Sequence, residues 1–264
     1  MIGVIRSELL RLTRPRLLIT WFALMGLFAL MINSVMFSTA SSQAQMPATG
    51  PGVMFPDAAT LAGAGGAFAG LSAAASMFGV VTLSFWAIAV ATDYSTGLVR
   101  LLVSAQPHRW KLLAGKTVAL AMLTALATTV AMSVSVAAAW PSASASGIST
   151  DLWGTDLVAQ AGSAWLNAYL SMLVWGVAGV VLAVVTRSSA VAISIGVGYV
   201  LVVESVLREM LDSASWLLGT TINALAAGGT SDLSYSTALG LSVVYVVIGL
   251  VIATVVVNRR DVTD

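Results

Sequence analysis

The tripeptide Gly115-Lys116-Thr117, inside the stretch RWKLLAGKTVAL over residues 109–120, ends like a phosphate-binding loop. Such a loop needs glycine five positions before its last glycine, because backbone N–H groups from the whole turn close around the phosphates. Trp110 stands there instead, no strand-like run precedes it, and an apolar run follows directly. The motif lacks its context, so no nucleotide is expected on this chain and Lys116 must serve another purpose. Other reactive types are sparse. One histidine, His108, and no cysteine exclude a histidine- or thiolate-rich metal cluster and a cysteine nucleophile. His108 beside Pro107 reads as a surface residue, not a base. No catalytic residue and no metal ligand are assigned. Glu204 and Arg208 are spaced i,i+4 with the acid first, the favourable order for an ion pair on a helix.

The elements that carry these residues are set by composition. The chain is 58% hydrophobic and 9% charged over 264 residues, with a mean hydropathy of +0.95. A soluble domain carries about 25% charged residues, so this chain cannot cover itself with a water-compatible surface. The fold class is an all-α polytopic membrane protein. Six apolar runs, at about residues 17–38, 70–92, 117–140, 163–186, 190–207 and 237–257, can each cross ~30 Å of hydrocarbon as a helix. Their length and lack of alternation exclude strands. The first run exceeds the apolar core of a cleaved signal peptide and is expected to remain as a span. The formal net charge of +1 gives no reason to invoke nucleic acid.

Basic residues set the orientation. With six spans, eleven of the twelve Lys and Arg residues fall on one face, and Arg208 alone falls on the other. Both termini are therefore expected in the cytoplasm. Trp110, Trp140, Trp165 and Trp216 fall near the ends of runs, where indole rings favour the headgroup zone.

Three segments outside the runs carry information. Residues 1–16 place Ile2, Ile5, Leu9 and Leu12 at helical spacing opposite Ser7, Arg11 and Arg14. This suits an amphipathic helix lying on the inner leaflet with its arginines among anionic headgroups. In the loop 93–116, Asp93 or Ser95 is placed to cap a short helix, and Leu98, Leu101, Leu102 and Ala105 form an apolar stripe that Pro107 ends. A greasy stripe facing the cytosol needs a cover, either headgroups or a partner protein. The outer segment 208–236 contains WLLG and INALAAGG, too short to cross; short helices that dip back into the outer leaflet or an ordinary structured loop both suit it.

The order of these features resembles the membrane subunit of type-2 ATP-binding-cassette (ABC) exporters. That family carries an acidic residue after the second span, then Gly-Thr, a leucine-rich stretch, Pro with Ser or Thr, Arg, and Gly-Lys opening the third span. Here the corresponding residues are Asp93, Gly97, Leu101-Leu102, Pro107, Arg109 and Gly115-Lys116. Asp93 replaces the commoner glutamate, Leu98 replaces the threonine, and His108 takes the place of the small hydroxyl residue.

The resemblance implies that residues 17–264 form a six-span type-2 ABC transmembrane domain whose loop 93–116 includes a coupling helix seated in a separate ATPase subunit. Asp93, Gly97, Arg100, Leu101, Leu102, Arg109 and Lys116 would serve that coupling, and residues 1–16, through Ile5, Leu9, Arg11 and Arg14, would be the connecting helix. The outer segment would be the family's re-entrant helices. Two ATPase copies and a second six-span permease are the implied partners, with ATP and Mg held by the ATPase and no cofactor in this chain. The implied activity is export of an amphipathic or hydrophobic compound, a drug-like molecule or peptide antibiotic, across the cytoplasmic membrane. The permease is not an enzyme by itself.

Two rival readings stand beside it. An ion-coupled secondary carrier would depend on Glu204, the ionisable residue nearest the hydrocarbon; pairing with Arg208 is the competing role. A non-transporting membrane scaffold is the other. Asn33, Phe85, Trp86 and Trp175 are candidates for lining a translocation path, with helix packing as the plainer role.

Overall fold

A computed structural model describes residues 2–13, 15–41, 55–105, 108–211 and 214–259. Arg14 and Pro107 lie outside the described residues, as does the side chain of Arg100. Among the described residues there is no strand. The helices are α1 (Ile2–Leu12), α2 (Pro15–Ser41), α3 (Ala58–Ala62), α4 (Ala69–Ala73), α5 (Ala75–Ser95) and α6 (Leu98–Ala105). They continue with α7 (Arg109–Ala145), α8 (Leu157–Thr186), α9 (Ser189–Gly198), α10 (Glu204–Met210), α11 (Leu218–Ala227) and α12 (Tyr235–Arg259). A π-helical stretch, Tyr199–Val203, joins α9 to α10, so 189–210 runs as one 22-residue helix.

Six helices are long and apolar enough to cross a membrane: α2, α5, α7, α8, the helix 189–210 and α12. Six crossings return the chain to the side on which it began. At that end of the bundle lie α1, α6 and the α8–α9 turn, where Arg187 adopts φ 55°. The other end carries α3, α4, the loop after α7, and α11.

Several boundaries differ from those expected. The second apolar run, expected from residue 70, breaks at Ala74 into the short α4 and the spanning α5. The third, expected from residue 117, begins at Arg109, so α7 spans 37 residues, or about 55 Å. That is more than the ~30 Å of hydrocarbon a span needs, and Gly115-Lys116 lies inside a helix, not in a loop. Asp93 and Ser95 belong to the last turn of α5 and do not cap α6. Gly97 makes the bend between the two helices at φ +70°, a conformation that costs a residue with a Cβ roughly 1–2 kcal/mol.

In lipid the association of helices rests on close van der Waals contact, because exposed apolar surface is no worse off there. The pairing of α5 with α8 uses this directly. A Cβ on Gly79 would stand 2.1 Å from Trp175 Cδ1, and one on Gly176 would stand 2.6 Å from Trp86 Cδ2. Each helix therefore sets an indole into a glycine notch of the other. A Cβ on Gly179 would meet the Leu83 carbonyl oxygen at 2.5 Å, so the two backbones nearly touch. Around this axis, α2 packs on α7, and α12 and α9 each pack on α8.

The end opposite α1 is closed by Trp153, 1% exposed, whose indole Nε1 donates to the Leu61 carbonyl at 2.8 Å. Its ring meets Trp140 edge-on at 4.9 Å. Asp57 caps α3 by accepting from the Thr60 N–H. The Thr60 hydrogen bonds hold its carboxyl below the ordinary value of 3.8.

Candidate functional site

Helix α1 turns one face toward the bundle. Ile2 is 84% exposed, whereas Glu8 is 2% exposed, so the face carrying Val4, Ile5, Glu8 and Leu12 turns inward. It packs on α7, where Gly115 leaves room for Val4: a Cβ at Gly115 would stand 2.5 Å from Val4 Cγ1. The glycine of the misleading tripeptide is thus a helix-crossing contact.

Beside that crossing, four charged groups close into a ring. Arg11 Nη1 donates to Glu8 Oε1 at 2.6 Å, and Arg11 Nη2 to Asp93 Oδ1 at 2.6 Å. Lys116 Nζ lies 2.5 Å from Asp93 Oδ2 and 3.1 Å from Glu8 Oε2. It also donates to the Ala89 carbonyl at 3.1 Å. Two carboxylates alternate with two cations, so the ring is neutral as a whole. Glu8, Asp93 and Lys116 are buried, and Arg11 keeps a partly exposed guanidinium.

Desolvated charges persist only with near-ideal partners, and removing one member of such a set costs about 3–5 kcal/mol. The ring joins three elements: α1 through Glu8 and Arg11, α5 through Asp93, and α7 through Lys116. Arg11, expected among headgroups, is instead drawn to these two carboxylates. Asp93 and Lys116, which the resemblance assigns to ATPase coupling, are buried in the ring.

What protrudes is α6. It follows α5 after the Gly97 bend, none of its described side chains is buried, and Leu101 is 69% exposed. Leu102 is partly buried. Arg109, at the start of α7, donates to the Val257 carbonyl in the last turn of α12 at 3.3 Å. α6 is thus continuous, through the Gly97 bend, with the end of α5 that the ring binds to α1 and α7.

A second charged site lies at the far end of the bundle. Glu204, 2% exposed, accepts from Arg208 Nη2 at 2.6 Å, from the Gly219 backbone N–H at 2.9 Å and from Thr220 Oγ1 at 3.3 Å. Its carboxylate sits at the N-terminus of α11, where orphan amides and the helix dipole favour a negative charge. Close approach is possible because residue 219 is glycine: a Cβ there would stand 2.4 Å from Glu204 Oε2.

The residues proposed for a path are held inside one chain. Asn33 donates to the Ala29 carbonyl at 2.8 Å and to Ser135 Oγ at 2.9 Å, joining α2 to α7. Phe85 stacks on Trp21 at 3.9 Å. Trp86 donates to Thr124 Oγ1 at 3.0 Å, and Trp175 fills the notch at Gly79. All four are buried, and Trp175 also lines a cleft beside α8. Among the described residues no group of three or more His, Asp or Glu side chains is placed to hold a metal.

Glu8 is the member of the ring that sequence reading passed over. Its signal was present: it lies four residues from Val4 and Leu12 and three from Ile5, a charge on the apolar face of an amphipathic helix. A family described as "protein of unknown function (DUF2705)" matches residues 24–263. No curated protein matches the chain.

Proposed function

Because the chain belongs to the DUF2705 family, whose description assigns no activity, we propose from its own architecture that it is the permease half of an ATP-driven exporter of the type-2 ABC kind. The observation that carries this reading is the sequence of α5, Gly97 bend and exposed α6, backed by the buried four-charge ring. An eight-residue helix with Leu101 turned outward is a handle for another protein. The ring makes the structure behind it move as one body, so displacement of α6 is not lost in local bending.

In this reading two copies of a separate ATPase bind ATP and Mg and grip α6 from the cytoplasm, where both chain ends also lie. A second six-span unit, identical or a sister, faces this one in the cytoplasmic membrane. Closure of the ATPases tilts α5 and α7 and moves an amphipathic or hydrophobic compound outward through the gap between the two units. Glu204, on which an ion-coupled carrier would depend, is engaged by Arg208 and by two donors of α11, which favours a structural role.

The test is co-purification with an ABC ATPase encoded beside this chain. Leu101→Glu places a charge in the proposed contact and is expected to abolish the complex and ATP-dependent export together. Full retention of both by Leu101→Glu, in a protein that reaches the membrane in normal amount, overturns the assignment of α6.

A further inference from the structure

We propose that the cleft between α9 and α12 is a binding site for one alkyl chain of an amphiphile drawn from the bilayer. Both helices pack on α8, and between them remains a space of about 310 Å³. Its floor is Val177, Ala178 and Val181 of α8, with Leu83 of α5 behind them. Its rims are Ile195 of α9 and Ile248 of α12, 48% and 51% exposed, so it opens at the outer surface of the bundle between two apolar helices.

The far end is closed by Leu218, Tyr199 and Tyr245. Tyr245 donates its hydroxyl to the Trp216 carbonyl, which turns its polar end out of the cleft and leaves its ring to face an occupant. No Asp, Glu, Lys, Arg or His lines the space, and its one indole, Trp175, is otherwise surrounded by apolar side chains and two tyrosines, which rules against a charged guest.

Size selects the occupant. An apolar cavity of about 150 Å³ suffices for benzene, and this one has twice that volume. A flexible alkyl chain one methylene wide fits a space of this size. Left empty, the walls would forfeit dispersion contacts, and the neighbouring medium supplies alkyl chains at very high concentration.

The experiment uses the full chain in lipid nanodiscs doped with a phosphatidylcholine carrying a photoreactive diazirine midway along one acyl chain, with cross-linked peptides located by mass spectrometry. Labelling is expected to concentrate on residues 177–182 and 195–199. Ala178→Phe fills the floor and is expected to cut that labelling at least fivefold. Val243→Phe, on an exposed part of α12 away from the cleft, is expected to leave it unchanged.

If Ala178→Phe does not fold, Val181→Phe obstructs the same floor one turn further on and is read in the same way. Labelling spread over all spans in proportion to exposure, and indifferent to these fillings, overturns the proposal. So do copy-to-copy cross-links through Ile195 or Ile248 that replace lipid labelling. No ATPase is needed, so the outcome is independent of the exporter reading.

Discussion

Lys116 stands between Glu8 and Asp93, and its loss leaves two carboxylates sharing Arg11. Lys116→Met is therefore expected to destabilise the fold by about 3–5 kcal/mol, seen as a lower unfolding midpoint in detergent. Adding Asp93→Asn should recover part of that loss, because the second change removes the charge the first one stranded. A double-mutant cycle measures the coupling; additivity within about 0.5 kcal/mol would show that the ring does not act as a unit. At the other charged site, Glu204→Ala removes the acceptor of the Gly219 amide. Hydrogen exchange at residues 219–221 is expected to accelerate at least tenfold while α8 is unaffected, and unchanged exchange would remove Glu204 from the role of holding α11. The Glu204–Arg208 spacing was open to inspection in the sequence. The ring was not, since Asp93 and Lys116 lie 85 and 82 residues or more from Glu8 and Arg11 in the chain, and only the crossing of α1 over α7 brings them together.

Between elements, small residues decide how near two helices come. Gly79→Ala pushes a methyl into the Trp175 ring, and Gly176→Ala does the same to Trp86. Each is expected to cost about 1–3 kcal/mol through overpacking, read as a lower unfolding midpoint, while Gly162→Ala, with open space around its position, should cost far less. Equal effects at all three would dissociate the notches from α5–α8 packing. Hydrophobic run length made the six long helices legible, because the thickness of a bilayer imposes it. Their ends were less so. The run RWKLLAGK carries three basic residues and reads as a polar connector, yet it continues α7 because α1 covers its face at Gly115 and Lys116. The short α3 and α4, five residues each, have too few turns to show a period; Trp153 holds α3, and α4 is packed among α2, α7, α8 and α11.

For the whole molecule, side-to-side charge asymmetry and the position of α6 must agree if the exporter reading is right. Nine of the ten described basic residues, all but Arg208, share the end from which α6 protrudes, and cytoplasmic loops retain Lys and Arg. The chain has no cysteine, so single cysteines report sidedness without background. Ser104→Cys lies on the exposed α6, and Gly154→Cys sits in the loop after α7 where nothing stands within 4 Å of an added Cβ. In intact cells a membrane-impermeant maleimide is expected to label Gly154→Cys and to spare Ser104→Cys until the membrane is opened. Adding the ATPase to opened membranes should then protect Ser104→Cys alone, because only that end is gripped. Labelling of Ser104→Cys from outside would place α6 beyond the reach of any cytoplasmic ATPase, and the exporter reading would fall while the helices, the ring and the alkyl cleft stood as described.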